Sequence, residues 1–427
     1  MYSTYSPNTP ILPTIGSTIM NKSLKNILTP LVAAGLTASA LNAADYYFAT
    51  DPGITDTSDL TNWYAQSGTT FSELPDSNDI VHISAGKTID ITGSELYQHY
   101  RAGMMYNGTG TGHGPEPTGQ TNVTIRNGGS LSTSTNVFAG MAWTRDAGNA
   151  DAKFTIESGG AMSVNSNLLL GNVYNQNNAK TATGEVVVDG GTLSAGTINL
   201  GHKNNQNSSG LSTGILTVNS GSATFNNALN LAHSDDSVGT LNMNGGNVTA
   251  RGITFGTKDT GTHDYTNQEA NLNLLGGVVN VTAAGWLNWE DDATVARNVV
   301  LGAGVLTMTN QNTGTGFNAK LGSIRNLTDY LIANANGNQS ITIVGGQSAE
   351  AHSALLAQYS NGQNGQGGGT EQYAVNGGTI YIGFDDNTTA EGATALWGVS
   401  AVPEPSAYAL IAGCLAMASV MIRRRKK

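Results

Sequence analysis

Cysteine and charge are what this chain has least of. One cysteine, Cys414, occurs in 427 residues, and it lies inside a terminal apolar run. That excludes an intramolecular disulfide, a thiolate zinc site and a thiol nucleophile in the body. Charged residues make up 11% of the chain, against ~25% in an average soluble domain. Basic residues are scarcer still. Outside Lys22, Lys25 and the terminal cluster Arg423, Arg424, Arg425, Lys426 and Lys427, 12 remain against 30 acidic residues. So acidic a body is a poor partner for nucleic acid phosphates, and nucleic acid is not expected to bind. No Ser/His/Asp triad, P-loop or dinucleotide fingerprint rises above chance, and no cofactor is expected.

What is abundant is glycine, 55 residues, with asparagine beside it. Leu, Ile, Val and aromatic residues return at regular intervals between these turn formers. The composition therefore fits many short strands joined by tight turns.

Aligned on their glycine turns, successive segments read NVTIRNGGSLSTSTNVFAG, KFTIESGGAMSVNSNLLLGN, EVVVDGGTLSAGTINLGH, ILTVNSGSATFNNALNLAH, TLNMNGGNVTARGITFG and NLNLLGGVVNVTAAGWLNW. The turn positions Gly128, Gly159, Gly190, Ser220, Gly245 and Gly276 stand 31, 31, 30, 25 and 31 residues apart, the signature of a solenoid. Each unit holds three stretches of apolar–polar alternation. The first carries pairs such as Val123/Ile125, Phe154/Ile156 and Leu216/Val218. The second carries Met162/Val164 and Ala223/Phe225, and the third Leu168/Leu170, Ile198/Leu200 and Leu229/Leu231. Period-2 alternation in a three-part unit predicts an all-β fold, a right-handed parallel β-helix with three short strands per coil of ~25–31 residues. An up-and-down barrel would need hairpin turns and lacks a reason for the common unit.

The shortest unit joins its third strand to the next first strand by HSDDSVG alone. Others are longer at that junction, with GNVYNQNNAKTAT, GHKNNQNSSGLST and GTKDTGTHDYTNQEA. The extra residues are expected to form a polar ridge along one corner, where per-repeat insertions gather. Residues 305–400, where the period blurs, read as irregular C-terminal coils and a cap, with a short helix in AEAHSALLAQYS.

β-Helices include polysaccharide lyases and hydrolases, whose sites need several carboxylates and a base on adjacent coils. Here Asp235-Asp236, Glu290-Asp291-Asp292 and Asp385-Asp386 are contiguous turn acids, and no aspartate recurs at one repeat position. The residue after the third strand is Asn172, His202, His233, Thr257 and Glu290 in turn. That register places His202 and His233 on adjacent coils, about 5 Å apart, without a carboxylate beside them, so they read as corner residues and no metal is expected. Trp286 and Trp289 point to opposite strand faces, so one at most is exposed and core packing is favoured.

The two ends read as addresses. MNKSLKNILTPLVAAGLTASALNAAD has a basic leader, an apolar segment and a small-residue cleavage zone, so residues 20–44 are expected to be a signal peptide with its helix. Residues 1–19 then form an upstream extension. At the other end, Val402, Pro403, Glu404 and Pro405 precede 16 uncharged residues, Ala407 to Ile422, and the Arg423–Lys427 cluster. As a transmembrane helix that run spans about 24 Å, short of the ~30 Å hydrocarbon core unless the flanking arginines reach into the headgroups.

This order of Pro-Glu-Pro, apolar helix and basic cluster resembles the PEP-CTERM sorting signal of Gram-negative bacteria. The resemblance covers about 25 residues at 401–427. It implies export through a secretion translocon, transient inner-membrane anchoring, and removal of the tail by an exosortase, a membrane-embedded cysteine transpeptidase-like enzyme. The segment LTNWYAQSGTTFSELPDSNDIVHISAGKTIDIT, within residues 45–120, resembles the lead-in of autotransporter-associated repeat proteins and is expected to cap the first irregular coils before the regular repeats at 121–304. Together these features lead to a non-enzymatic exported β-solenoid, structural or adhesive, associated with the cell surface, exopolysaccharide or other surface glycans. A carbohydrate-active β-helix enzyme is the competing reading.

Overall fold

The computed structural model describes residues 44–48, 57–58, 62–64, 72–105, 119–142, 149–174, 180–204, 210–256, 267–289, 295–309, 315–335, 338–360, 369–384 and 393–401. The fold is all-β with a parallel solenoid, as the alternation predicts. Strands of successive coils stack in register on three faces.

The first face runs Thr88–Ile91, Thr121–Ile125, Ala150–Glu157, 182–189, 212–218, Ser237–Met243, Gln268–Leu274, Val295–Leu301 and Gln339–Ile343, each parallel to the next. The second face begins at Ser94–Tyr97 and Ser130–Thr133 and continues to Val305–Thr309. The third runs from Ile80–Ser84 through His99–Met105 and Val137–Ala142 to 286–289. Regular coiling is thus already in place by Thr88, inside the segment read from sequence as cap and irregular coils.

Inward residues form columns. On the first face Val123, Phe154, Val186, Leu216, Leu241, Leu272 and Val299 lie in register and are buried. The strand residues assigned to the core from alternation (Val123, Ile125, Phe154, Ile156, Met162, Val164, Leu168, Leu170, Ile198, Leu200, Ala223, Phe225, Leu229 and Leu231) all sit in one continuous core. Burying each large aliphatic side chain contributes roughly 1.5–3 kcal/mol.

The glycine corners are sharper than the sequence indicates. Positive φ falls on Gly128, Gly159 and Gly190 and then on Gly221, Gly246 and Gly277, spaced 31, 31, 31, 25 and 31 residues apart. In the last three units the left-handed residue is one position later than the turn markers chosen from sequence. Both residues of a Gly-Gly pair look alike in sequence, and only the inter-coil register decides which one bends.

Outward polar residues form ladders of their own. On the first face Asn273 donates to Asn242 Oδ1 at 2.8 Å, and Asn298 donates to Asn271 Oδ1 at 2.9 Å. Ser340 donates in turn to Asn298 Oδ1 at 2.7 Å. Each stacked amide satisfies the next, which compensates for the poor intrinsic strand preference of asparagine.

At the N-terminal end, Asp45–Phe48 pairs parallel with Ile80–Ser84 and antiparallel with Trp63–Tyr64. Trp63, from the Asn-Trp segment, is fully buried against Phe48, and its indole N–H donates to Thr57 O at 3.0 Å. At the C-terminal end, helix α1 (Thr315–Ala333) buries Ile324, Leu327 and Leu331 at helical spacing. The sequence reading had not singled out this helix. Helix α2 (Ala349–Ser360) matches the helix expected in AEAHSALLAQYS. Ala393–Ser400 lies antiparallel to Val305–Thr309 and to Gly378–Phe384, which in turn pairs with Gly369–Val375.

Candidate functional site

The third face carries the site. Its strands place Val137, Leu168, Ile198 and Leu229 inward, and then Ala139, Leu170, Leu200 and Leu231. Phe138, Leu169, Asn199, Asn230 and Thr254 form the outward column between them. After the last inward residue the chain takes a left-handed step at Gly103, Gly140, Gly171, Gly201, Ala232 and Gly256, with φ between 54° and 73°. That step breaks the alternation. The residue that follows lies on the same side as the outward column, so Met141 packs with Phe138 and Leu169 in a cluster apart from the main core.

The same step orders the column read from sequence. Asn172 is in register with Met141 and His202. The His202 and His233 rings stack at 5.3 Å and 17°, close to the spacing expected of adjacent coils. Burial pushes the His202 imidazole down to about 3, with His233 adding to the effect. Burial likewise lowers His233. Thr257 and Glu290, the next members of that column, lie outside the described residues. Among the described residues no group of three His, Cys, Asp or Glu side chains is placed to hold a metal ion.

A groove of about 400 Å³ crosses the outer side of this face. Phe138, Met141 and Leu169 form its apolar floor, and Asn136, Asn167, Asn172, Asn199 and Asn204 supply amides. His99, Arg101, Tyr174 and His202 complete it. Asn199 accepts from Asn230 Nδ2 at 2.7 Å, continuing the amides beyond the groove. The Arg101 guanidinium lies 5.6 Å over the Phe138 ring. Burial and the neighbouring Arg101 charge hold His99 down at about 4. No carboxylate is among the described residues lining this groove, although the body is acidic. Asn172 Oδ1 and His202 Nδ1 are buried without a hydrogen-bond partner among the described residues.

The described acids are largely committed elsewhere. Asp236 takes an ion pair from the fully buried Lys203 Nζ at 2.8 Å and a hydrogen bond from Asn267 at 2.9 Å. Arg126 links Asp90 at 3.1 Å and Glu157 at 2.5 Å on neighbouring coils, and Lys153 pairs with Glu185 at 3.1 Å. A second cleft, about 390 Å³, lies between residues 57–58, 74–75 and the corner of the first coil. It contains Asp90 and Glu95. Burial raises the Glu95 carboxyl, although Thr57 and Tyr97 hydroxyls donate to it at 2.9 and 3.1 Å.

Asp291, Asp292, Asp385 and Asp386 lie outside the described residues. Trp286 and Trp289 stand in register with Gly252 and Phe255. Also outside the described residues are the sorting residues Val402, Pro403, Glu404 and Pro405, the cluster Arg423, Arg424, Arg425, Lys426 and Lys427, and residues 20–43 of the expected signal peptide. Residues 175–179, 205–209 and 257–266 of the junction segments lie outside the described residues too. Among the described residues no helix is long and apolar enough to cross a membrane. Sequence reasoning found the histidine pair but missed the groove and Arg101. The available signal was the residue two positions after the outward one of the third strands, glycine at 103, 140, 171, 201 and 256 and alanine at 232.

Fold and site define a parallel β-solenoid with an amide-rich groove across its coils. No protein-family model, no curated protein and no solved structure matches the chain.

Proposed function

We propose that the chain is an exported β-solenoid with a structural or adhesive role at the cell surface or in the extracellular matrix, holding exopolysaccharide or other surface glycans. The observation that carries this reading is the third face, where a polar groove floored by apolar side chains spans adjacent coils. Stacked coils offer a long chain ligand repeated contacts, and linked weak contacts add into useful affinity. The described acids support a binding role over chemistry, because Asp236, Asp90, Glu157 and Glu185 are held in ion pairs instead of converging with a base.

Delivery follows the PEP-CTERM resemblance. A translocon exports the chain, the 401–427 tail holds it in the inner membrane, and an exosortase-type enzyme removes the tail near Pro403, Glu404 and Pro405. Deleting residues 403–427 tests the address: retention and processing should both be lost, and unchanged processing would refute it.

One observation favours the enzymatic alternative. In the second cleft the Glu95 carboxyl, raised by burial, shares the cavity with a second carboxylate, the ion-paired Asp90, and a carboxylate pair is the minimum set for glycoside hydrolysis. A glycan-array screen of the full chain, with product analysis, separates the readings. Retention of polysaccharide without shortening supports adhesion; new chain ends that vanish in Glu95→Gln establish hydrolysis or elimination.

A further inference from the structure

We propose that the third-face groove is a binding site for an anionic oligosaccharide, with a uronate carboxylate at Arg101 and pyranose rings running along the solenoid axis over Tyr174 and the amide residues. This rests on the adhesive reading and assigns it a place and a ligand class.

Three features of the groove converge on that chemistry. The first is unspent hydrogen bonding. Asn172 Oδ1 is an acceptor in a residue 1% exposed, and His202 Nδ1 is next to it in register; neither has a partner among the described residues. Buried polar atoms left this way are normally satisfied by water or a ligand. An amide oxygen requires a donor, and clustered hydroxyls are what a sugar brings.

The second feature is shape and surface. The floor of Phe138, Met141 and Leu169 is apolar, and Tyr174, 37% exposed, is among the few large apolar side chains of the described residues left open to solvent. Pyranose rings present C–H faces that pack on such surfaces, while their edges reach the amides of Asn167 and Asn199. Coils stack ~4.8 Å apart, comparable with the advance per sugar of an extended glycan, so one chain meets successive coils in similar positions.

The third is charge. Among the described residues the lining is free of carboxylates, in a chain of net charge −11, and it contains the Arg101 guanidinium, on which the Asp45 charge also acts. A neutral lining with one fork-shaped cation suits a carboxylate-bearing sugar, because guanidinium pairs carboxylates in a bidentate way.

The test is calorimetric titration of the purified full chain with an oligogalacturonate octamer and, separately, a neutral cello-oligosaccharide. The octamer should bind more tightly, and salt should weaken it. Arg101→Gln should lower octamer affinity about tenfold or more and lower that for the neutral sugar clearly less. Tyr174→Ala, at an exposed position, should weaken both sugars. Hydrogen exchange should slow in residues 137–142 and 168–173 when the octamer is added, a reading that needs no variant. Octamer binding that Arg101→Gln and Tyr174→Ala leave intact, with protection elsewhere, overturns the site and preserves the adhesive reading. Preference for the neutral sugar overturns the anionic assignment. If no glycan of the array binds, the adhesive reading falls with it.

Discussion

Gly171→Ala and Ala232→Gly form a matched pair at one column of the third face, and the geometry predicts unequal outcomes. Gly171 has φ of 67°, and a Cβ there would stand 2.1 Å from Thr213 O and 2.8 Å from Ala182 O. Normal C···O contact is about 3.3–3.6 Å, so the methyl intrudes by more than 1 Å on the Thr213 carbonyl and by about 0.5 Å on the Ala182 carbonyl, both on adjoining first-face strands. Relief requires coils to part, since the obstacles are backbone. Left-handed strain adds roughly 1–2 kcal/mol for a residue with a Cβ. The total expected is about 4 kcal/mol, at the high end for a single substitution. Ala232 already occupies the left-handed region at φ 54° and is buried. Its change to glycine releases about 1 kcal/mol of strain but loses a buried methyl worth ~0.8 kcal/mol and adds some unfolded-state freedom. Those contributions cancel to within about 1 kcal/mol. Urea unfolding followed by far-UV circular dichroism should show Gly171→Ala losing ~1 M or more in midpoint, and Ala232→Gly near wild type. Equal midpoints for the two variants, or wild-type behaviour of Gly171→Ala, would refute the argument that neighbouring backbone leaves no room for a Cβ at position 171.

Three further outcomes follow from buried charge. His202 has its folded value near 3 against an ordinary 6.5, so its neutral form contributes stability above pH 6.5 that is lost as pH falls from there toward 3; His202→Gln should flatten melting temperature across that window. Glu95 is shifted upward by burial, so it favours the folded state only while protonated and opposes it as pH rises through its folded value. Glu95→Gln should therefore stabilise at pH 7 and do little at pH 4, as differential scanning calorimetry would record. Burial raises the Asp236 carboxyl, but hydrogen bonds from Lys203 and Asn267 outweigh this and hold it below the ordinary value. Asp236→Asn takes a counter-charge from the fully buried Lys203 ammonium and should cost about 3–5 kcal/mol; Lys203→Met, which leaves a partly exposed acid, should cost clearly less in the same melts.

The coil was legible because burial on one side of a strand imposes period-2 alternation, and that pattern survives in residues such as Phe154/Ile156 and Leu229/Leu231. The His202–His233 stack was legible too, since a regular period fixes which residues lie one coil apart. The groove was not. It depends on the left-handed step after Ala139, Leu170 and Leu200, which redirects Met141, Asn172 and His202 outward, and a glycine in sequence does not announce its φ. The amide ladders were missed for a related reason: Asn242 and Asn273 look like turn residues until the register stacks them. Helix α1 was hidden by its position, between the second-face strand Val305–Thr309 and the first-face strand Gln339–Ile343, where the glycine period blurs.

The antiparallel strands at the two ends also govern how the molecule stops. Inside the stack every strand presents the same polarity to the next, an edge on which a second chain would pair and continue. Ala393–Ser400 meets Val305–Thr309 in the reverse direction, and Trp63–Tyr64 does the same to Asp45–Phe48. A coil of another copy would meet reversed polarity at those strands. Those two edges, Val305–Thr309 on the second face and Asp45–Phe48 before the third, are therefore closed to parallel continuation by the first strand of another copy.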